Sequence, residues 1–344
     1  MKTPTPHAER QVTMERLVAL TGAEGFIGSH LVEALVERGD RVRAMVQYNA
    51  FGGWGWLDTL PRDVMDRVEV ILGDVRDPAS ARDLVGNAEV VYHLAALIAI
   101  PYSYRAPRSY VETNVIGTLN MLEAVRFTGA SRLVHTSTSE VYGTARTVPI
   151  DETHPLQTQS PYAASKAAAD KLVESFHASF GTPVVTLRPF NTFGPRQSAR
   201  AFIPSVISQI AAGSPVVSVG ALEPTRDLTF VKDTAAAFVS VGTAPEEAVT
   251  GRVLNAGSGT EISMGALADE IAGLMGARVE FRGEEIRRRP PDSEVMRLLC
   301  DDGRLRRATG WRPRHTRADG LKATIEWFLD PANLARYKPG AYQV

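Results

Sequence analysis

The stretch Leu17-Val-Ala-Leu-Thr-Gly-Ala-Glu-Gly-Phe-Ile-Gly-Ser-His30 decides the fold. Leu17–Leu20 reads as a short buried strand. Ile27–Arg38 reads as a helix, with apolar residues at Ile27, Leu31, Leu35 and Val36. Between them Gly22, Gly25 and Gly28 have the spacing GxxGxxG. Glycine permits a tight turn with positive φ, lets the backbone come close to a pyrophosphate, and lets the helix pack on the strand. The start of the helix then offers free N–H groups and its positive dipole end to the phosphates. A glycine-rich strand-to-helix turn without a ligand is the competing explanation. Placement after the first strand and before an amphipathic helix favours a dinucleotide.

The same rhythm continues downstream. Val42–Val46, Val68–Leu72, Val90–Leu94, Leu133–Ser137 and Val184–Arg188 read as strands, with helices near Pro78–Val85, Tyr110–Phe127 and Pro161–Phe180. Strand alternating with helix predicts an α/β protein, a doubly wound parallel sheet of the Rossmann kind covered on both faces. After Pro189, prolines and glycines crowd the chain to residue 226, and Arg287-Arg288-Arg289 precedes Pro290-Pro291. Residues 186–229 and about 261–310 are therefore expected to form a smaller C-terminal α/β lobe on the carboxyl edge of the sheet. Residues 14–185, with about 230–260 and 315–330, are expected to form the main domain, and residues 1–13 a disordered tail.

The 344 residues are 44% hydrophobic and 22% charged, with 38 Lys plus Arg against 39 Asp plus Glu. Such a length buries a substantial core. So even a charge balance argues against broad electrostatic binding to nucleic acid or acidic membrane. The lone cysteine, Cys300, excludes an intramolecular disulfide framework and a cysteine-rich zinc site. The histidines are scattered without a ligand-spaced pair, so no metal is expected. The apolar run Leu94–Ile100 is far shorter than the roughly 20 residues that span a bilayer. The polar start MKTPTPHAERQ lacks the apolar core of a secretory signal, and the expectation is a cytoplasmic protein.

At the end of the second strand a dinucleotide fold often carries an acid for the ribose hydroxyls. Here the chain reads Val46-Gln47-Tyr48-Asn49. Gln47 or Asn49 can accept a hydrogen bond, and no arginine stands there for a 2′-phosphate, which points to NAD rather than NADP. Asp74, after the third strand, is placed to meet the adenine or to close a turn.

Ser160 and Pro161 open a helix as N-cap and first residue. Tyr162 and Lys166 then share a face, four residues apart. An ammonium near a phenol favours the phenolate, which can take a proton from a sugar hydroxyl while hydride leaves for nicotinamide. The pattern YxxxK is common by chance and gains weight from the dinucleotide turn upstream. Leu133–Gly143 reads as a strand running into polar residues at the carboxyl edge, where α/β sites lie. Thr138, Ser139 and Glu140 are thus expected beside Tyr162, a hydroxyl to hold the substrate and a carboxylate to act as base.

With these elements in place the chain resembles the extended short-chain dehydrogenases/reductases that act on nucleotide-sugars. The resemblance covers residues 16–330 through TGAEGFIGSH, GDVRD, YHLAA, TNVIGTLNMLEA, TSTSEVYG, SPYAASK, RPFNTFGPRQ and RDLTFVKD, in family order. It implies that Thr138, Tyr162 and Lys166 are catalytic. It implies NAD held by Gly22, Gly25, Phe26, Ile27, Gly28, Gln47, Asn49, Asp74, Val75, Leu94, Ala95, Ala96 and Asn114, together with Tyr162 and Lys166. It implies a UDP-, GDP- or dTDP-linked sugar held by Ser103, Thr138, Asn191, Arg196, Arg226, Arg289 and Asp292.

Within that family Glu140 matches the C5 base of 4,6-dehydratases, while Ser139 stands where glucose-type dehydratases usually carry an aspartate acid. The segments VQYNAFGGWGWLD, LIAIPYSYRAPRSY and RPPDSEVMRL are similar to the 4,6-dehydratases of legionaminic-acid-type pathways, which act on a nucleotide-linked N-acetylglucosamine. The implied reaction has Tyr162 take the C4 hydroxyl proton as hydride passes to NAD. Glu140 then removes the C5 proton, water leaves C6, and the hydride returns to C6. The rivals are a C4 epimerase, a UDP-glucuronate decarboxylase that would want Arg105 or Arg196 near a carboxylate, and a non-catalytic NAD-binding relative. Trp54 and Trp56 are read as core or lid. The helix Pro161–Phe180 is apolar on more than one side, and with Tyr110–Phe127 it is expected to build the four-helix interface of a homodimer.

Overall fold

The structure, a computed structural model, describes residues 15–337, so the expected tail at 1–13 lies outside the described residues. Its strands are β1 (Leu17–Thr21), β2 (Arg41–Gln47), β3 (Val68–Gly73), β4 (Val90–His93), β5 (Arg132–Thr136), β6 (Val184–Pro189), β7 (Asn191–Phe193), β8 (Val216–Val219), β9 (Thr225–Phe230), β10 (Val253–Ala256), β11 (Glu261–Ser263) and β12 (Glu280–Gly283). The principal helices are α1 (Phe26–Glu37), α2 (Pro78–Val85), α3 (Gly117–Thr128), α4 (Pro161–Phe180), α5 (Phe202–Ala211), α6 (Val231–Thr243), α7 (Met264–Leu274), α8 (Gly303–Thr309) and α9 (Arg317–Leu329).

Seven strands form one parallel sheet in the order β10-β6-β5-β4-β1-β2-β3. Alternate residues of β1 show how it is covered. Val18 and Leu20 face a core shared with Leu31 and Leu35 of α1 and Phe238 and Val241 of α6. Ala19 faces the opposite core, with Leu84 of α2, Met121 and Val125 of α3 and Val173 of α4. Burial on both faces is why these strands read as unbroken apolar runs. The chain runs from β1 outward to β3, then crosses back to β4 beside β1 and continues the other way. That reversal opens a crevice at the carboxyl ends of β1 and β4.

The smaller lobe holds the sheet β11-β9-β7 and the pair β12-β8 around Phe193, Ile207, Val217, Phe230 and Ile271. Its boundaries differ from those expected. Residues 315–330 do not return to the main domain: Leu321, Ile325 and Phe328 of α9 join the lobe core. Conversely Leu305 of α8 and Trp311 pack in the main core, where Trp311 Nε1 donates to Asp233 O at 3.0 Å. The expected boundary at 186 falls inside β6. An apolar stripe says that a helix needs a partner but not which one. Trp56 packs edge-on to Trp327 at 5.5 Å, beside the lobe core. The helix expected over Tyr110–Phe127 contains a π-helical segment, Val111–Ile116, before α3. Among the described residues no helix is long and apolar enough to cross a membrane.

Candidate functional site

The glycine turn joins β1 to α1 and touches the end of β4. Gly22 has φ of +70°, and a Cβ there would lie 2.8 Å from the backbone nitrogen of Ala95; one on Gly28 would lie 2.0 Å from Gly22 O. Thr21 Oγ1 accepts from the amides of Leu94 (3.1 Å) and Ala95 (3.0 Å), tying the Leu94–Ala96 segment to the turn. Gly25 caps α1 without a side chain, so no side chain of its own occupies the amides of the first turn. Phe26 and Ile27 pack towards the lobe core.

At the end of β2 the structure separates the expected acceptors. Asn49 is used within its own loop, donating to Gly53 O at 2.8 Å and accepting from Phe51 N at 3.1 Å. Gln47 is exposed, and its amide donates at 3.1 Å to Oε1 of Glu24, a residue that sequence reasoning passed over. Asp74 is gripped at both oxygens by Arg76, which also holds its carboxyl below the usual range, and it accepts the Arg76 amide at 2.9 Å. Val75 beside it is buried.

Thr138 ends the β5 segment by accepting from Glu140 N at 3.2 Å, which starts a short 3-10 turn, Ser139–Tyr142, and buries Ser139 and Glu140. Facing it, Ser160 accepts from Ala163 N at 3.1 Å and Pro161 begins α4, as expected. Tyr162 and Lys166 are both buried. The expected lowering of the phenol is not found. Burial pushes Tyr162 up, a hydrogen bond with Thr138 opposes this, and the nearby Glu140 and Asp170 charges add to the rise. Burial brings Lys166 down to about 8, and its charge acts on His93 and His135 instead. Asn114 donates to Leu97 O (3.0 Å) and Ser165 Oγ (2.9 Å), joining the end of β4 to α4 next to Lys166.

Behind Lys166 lies a buried polar cluster that no spacing rule identified. Asp170 accepts from Ser137 Oγ at 2.7 Å and Arg188 Nη2 at 2.8 Å, and pairs with His135 Nε2 at 3.1 Å. Burial works against its charge, but these partners hold its carboxyl at about 2. Its signal was local and weak: an aspartate one turn after Lys166 on the buried face of the same helix.

On the lobe side, Arg226 is buried and donates from Nη2 to Glu294 Oε1 at 3.2 Å. Arg289 Nη1 lies 3.7 Å from Glu140 Oε2, so the lobe arginines and the end of β5 meet. Asn191 Oδ1 is buried with no hydrogen-bond partner. Three further expected substrate residues are engaged within the chain. Ser103 is fully buried and donates to Ile100 O. Asp292 is exposed and only its carbonyl is engaged, by Gln159 Nε2 at 3.0 Å. Arg196, at φ of +69°, is turned onto α1, where Nη1 and Nη2 pair with Glu33 at 2.7 and 3.0 Å. Among the described residues no group of three or more His, Cys, Asp or Glu could hold a metal ion.

A family model described as GDP-mannose 4,6 dehydratase matches residues 19–324. The chain belongs to this family. The GDP-mannose 4,6 dehydratase family sits among the extended short-chain nucleotide-sugar dehydratases and epimerases, and both kinds of relative are found. A dTDP-glucose 4,6-dehydratase of Xanthomonas campestris is 33% identical over 333 residues, covering 90% of this chain and 92% of the relative. A UDP-glucose 4-epimerase of Mycolicibacterium smegmatis is also 33% identical, over 320 residues, covering 90% and 97%. A dTDP-glucose 4,6-dehydratase from Streptomyces venezuelae, solved with NAD bound, superposes with a TM-score of 0.83 at 27% identity, covering 93% of this chain and 98% of that one. As a family member the chain is an enzyme of the dehydratase or epimerase kind.

Proposed function

We propose that the protein is an NAD-dependent 4,6-dehydratase acting on a UDP-, GDP- or dTDP-linked hexose, with a nucleotide-linked N-acetylglucosamine as the favoured substrate. The observation that supports dehydration over epimerisation is Glu140: a buried carboxylate close to Tyr162, where an epimerase needs no base at C5. Coenzyme residues fit, since the turn glycines leave α1 without a side-chain cap and no side chain replaces the glycines at the crevice.

The residues divide the work as follows. Arg226 and Arg289 attract the diphosphate and set the sugar between the two domains. Thr138 holds the C4 hydroxyl, and Tyr162 takes its proton. Bound NAD supplies the reversible two-electron oxidation of C4 and, when oxidised, the positive charge a buried phenol needs to ionise. The C4 ketone acidifies C5–H, which Glu140 removes. Ser139 cannot act as the carboxylic acid, so the proton gained by Glu140 is passed to the departing C6 oxygen, which leaves as water. Reduction at C6, with C5 taking from solvent a proton in place of the one Tyr162 took from the C4 hydroxyl and releases, completes a 4-keto-6-deoxy sugar. Incubation with UDP-, GDP- and dTDP-sugars followed by mass spectrometry tests this. Loss of one water is expected; loss of carbon dioxide or an unchanged mass would select the decarboxylase or the epimerase.

A homodimer through α3, α4 and the preceding π-helical segment is part of the same reading, supported by exposed Val111, Ile116, Phe127 and Phe180 on these elements. Light scattering at micromolar protein is expected to give twice the chain mass, and a monomer contradicts it.

A further inference from the structure

Glu24 stands inside the glycine turn, two residues after Gly22, and its side chain crosses to the carboxyl end of β2. There Oε1 accepts the amide of Gln47 at 3.1 Å. The other oxygen, Oε2, is buried and has no hydrogen-bond partner. Such a buried oxygen is costly and calls for a donor; burial pushes this carboxyl above its ordinary range, against the amides of Gln47 and of Glu24 itself.

The place it reaches has a known use in dinucleotide folds. The adenosine ribose lies between the phosphate turn and the end of the second strand, and an acid at the end of that strand takes its hydroxyls. In this chain β2 ends in Gln47, and the amide of Asn49 is consumed within its own loop. The carboxylate at that end therefore arrives from the turn rather than from the strand.

We propose that Glu24 is the ribose ligand of the coenzyme and the residue that selects NAD over NADP. Oε2 accepts from a ribose hydroxyl, while Oε1 stays on Gln47. A 2′-phosphate in the same position would face a carboxylate and be repelled. The assignment rests on the pyridine dinucleotide dependence proposed above. A purely structural role also has a basis, because Glu24 O accepts from Trp56 N at 3.0 Å and so anchors the loop after β2. That bond uses the backbone and survives a side-chain change.

Calorimetric titration of the nucleotide-free protein with NAD and with NADP separates the two roles without any turnover. Wild type is expected to prefer NAD. Glu24→Gln keeps the shape and the bond to Gln47; it is expected to weaken NAD binding about tenfold or more and to narrow the preference over NADP by a similar factor. Glu24→Asp, which keeps the charge, is expected to retain the preference. Equal losses for both dinucleotides, or no loss for either, would overturn the assignment while leaving the coenzyme reading intact. A wild-type protein that binds neither dinucleotide would overturn both.

Discussion

Arg289 Nη1 stands 3.7 Å from Glu140 Oε2 and 3.7 Å from Glu294 Oε1, and it forms a hydrogen bond with neither. One guanidinium nitrogen of a lobe arginine thus stands unpaired between a main-domain carboxylate and a lobe carboxylate. Glu140 is left as the carboxylate beside Tyr162. Glu140→Gln is expected to keep C4 oxidation, seen as reduced-coenzyme absorbance on mixing with substrate. Formation of 4-keto-6-deoxy sugar should fall about 100-fold or more. Product formation at the parent rate would remove Glu140 from the reaction.

Asp170 lies one helical turn beyond Lys166 on α4, and its charge is the influence that opposes the burial of that ammonium. Burial already brings Lys166 down to about 8, and its charge reaches His93 from β4 and His135 from β5, both held neutral by burial. Removing the carboxylate charge disfavours the ammonium further. Asp170→Asn is therefore expected to shift the alkaline limb of the kcat profile to lower pH by about one unit or more. A reduced melting temperature with the limb unmoved would mean that Asp170 serves packing alone.

Arg196 pairs with Glu33 of α1 through both guanidinium Nη atoms. Burial raises the Glu33 carboxyl, but His30 and Arg196 bring it to about 2 against an ordinary 4.5. A lowered folded value means that the stabilisation is full above pH 4.5 and is lost as the pH falls towards 2. Arg196→Ala is expected to cost about 1 kcal/mol near neutrality, given the partial exposure of Glu33. The deficit should shrink across that acid window, with KM for the sugar nucleotide unchanged. A raised KM with unchanged stability would return Arg196 to the substrate site.

What the sequence discloses follows from how local each determinant is. Pro78–Val85 and Pro161–Phe180 were legible to the residue because each carries its own start and stop: Asp77 or Ser160 as cap, proline at the first position, and Gly86 or Gly181 beyond the end. Tyr162 and Lys166 are read from one turn of one helix. Arg196, by contrast, takes its role from Glu33, 163 positions away, and Asp170 pairs with His135 across 35 positions. Glu24 was hidden for the same reason, since Gln47 lies 23 residues on and in another element. The lobe boundary differs where α8 and α9 pack, because α8 offers little beyond Leu305 and the apolar stripe of α9 does not name its partner.

The central claim is that two electrons leave C4 and return to C6 within one bound sugar, and isotope tracing reads this directly. A sugar nucleotide carrying deuterium at C4 is given to the enzyme in ordinary water, and the product is analysed by mass spectrometry and NMR. The account predicts a dehydrated 4-keto sugar with the deuterium at C6 of the same molecule. Deuterium back at C4 of an undehydrated sugar, or lost from the product altogether, would contradict it.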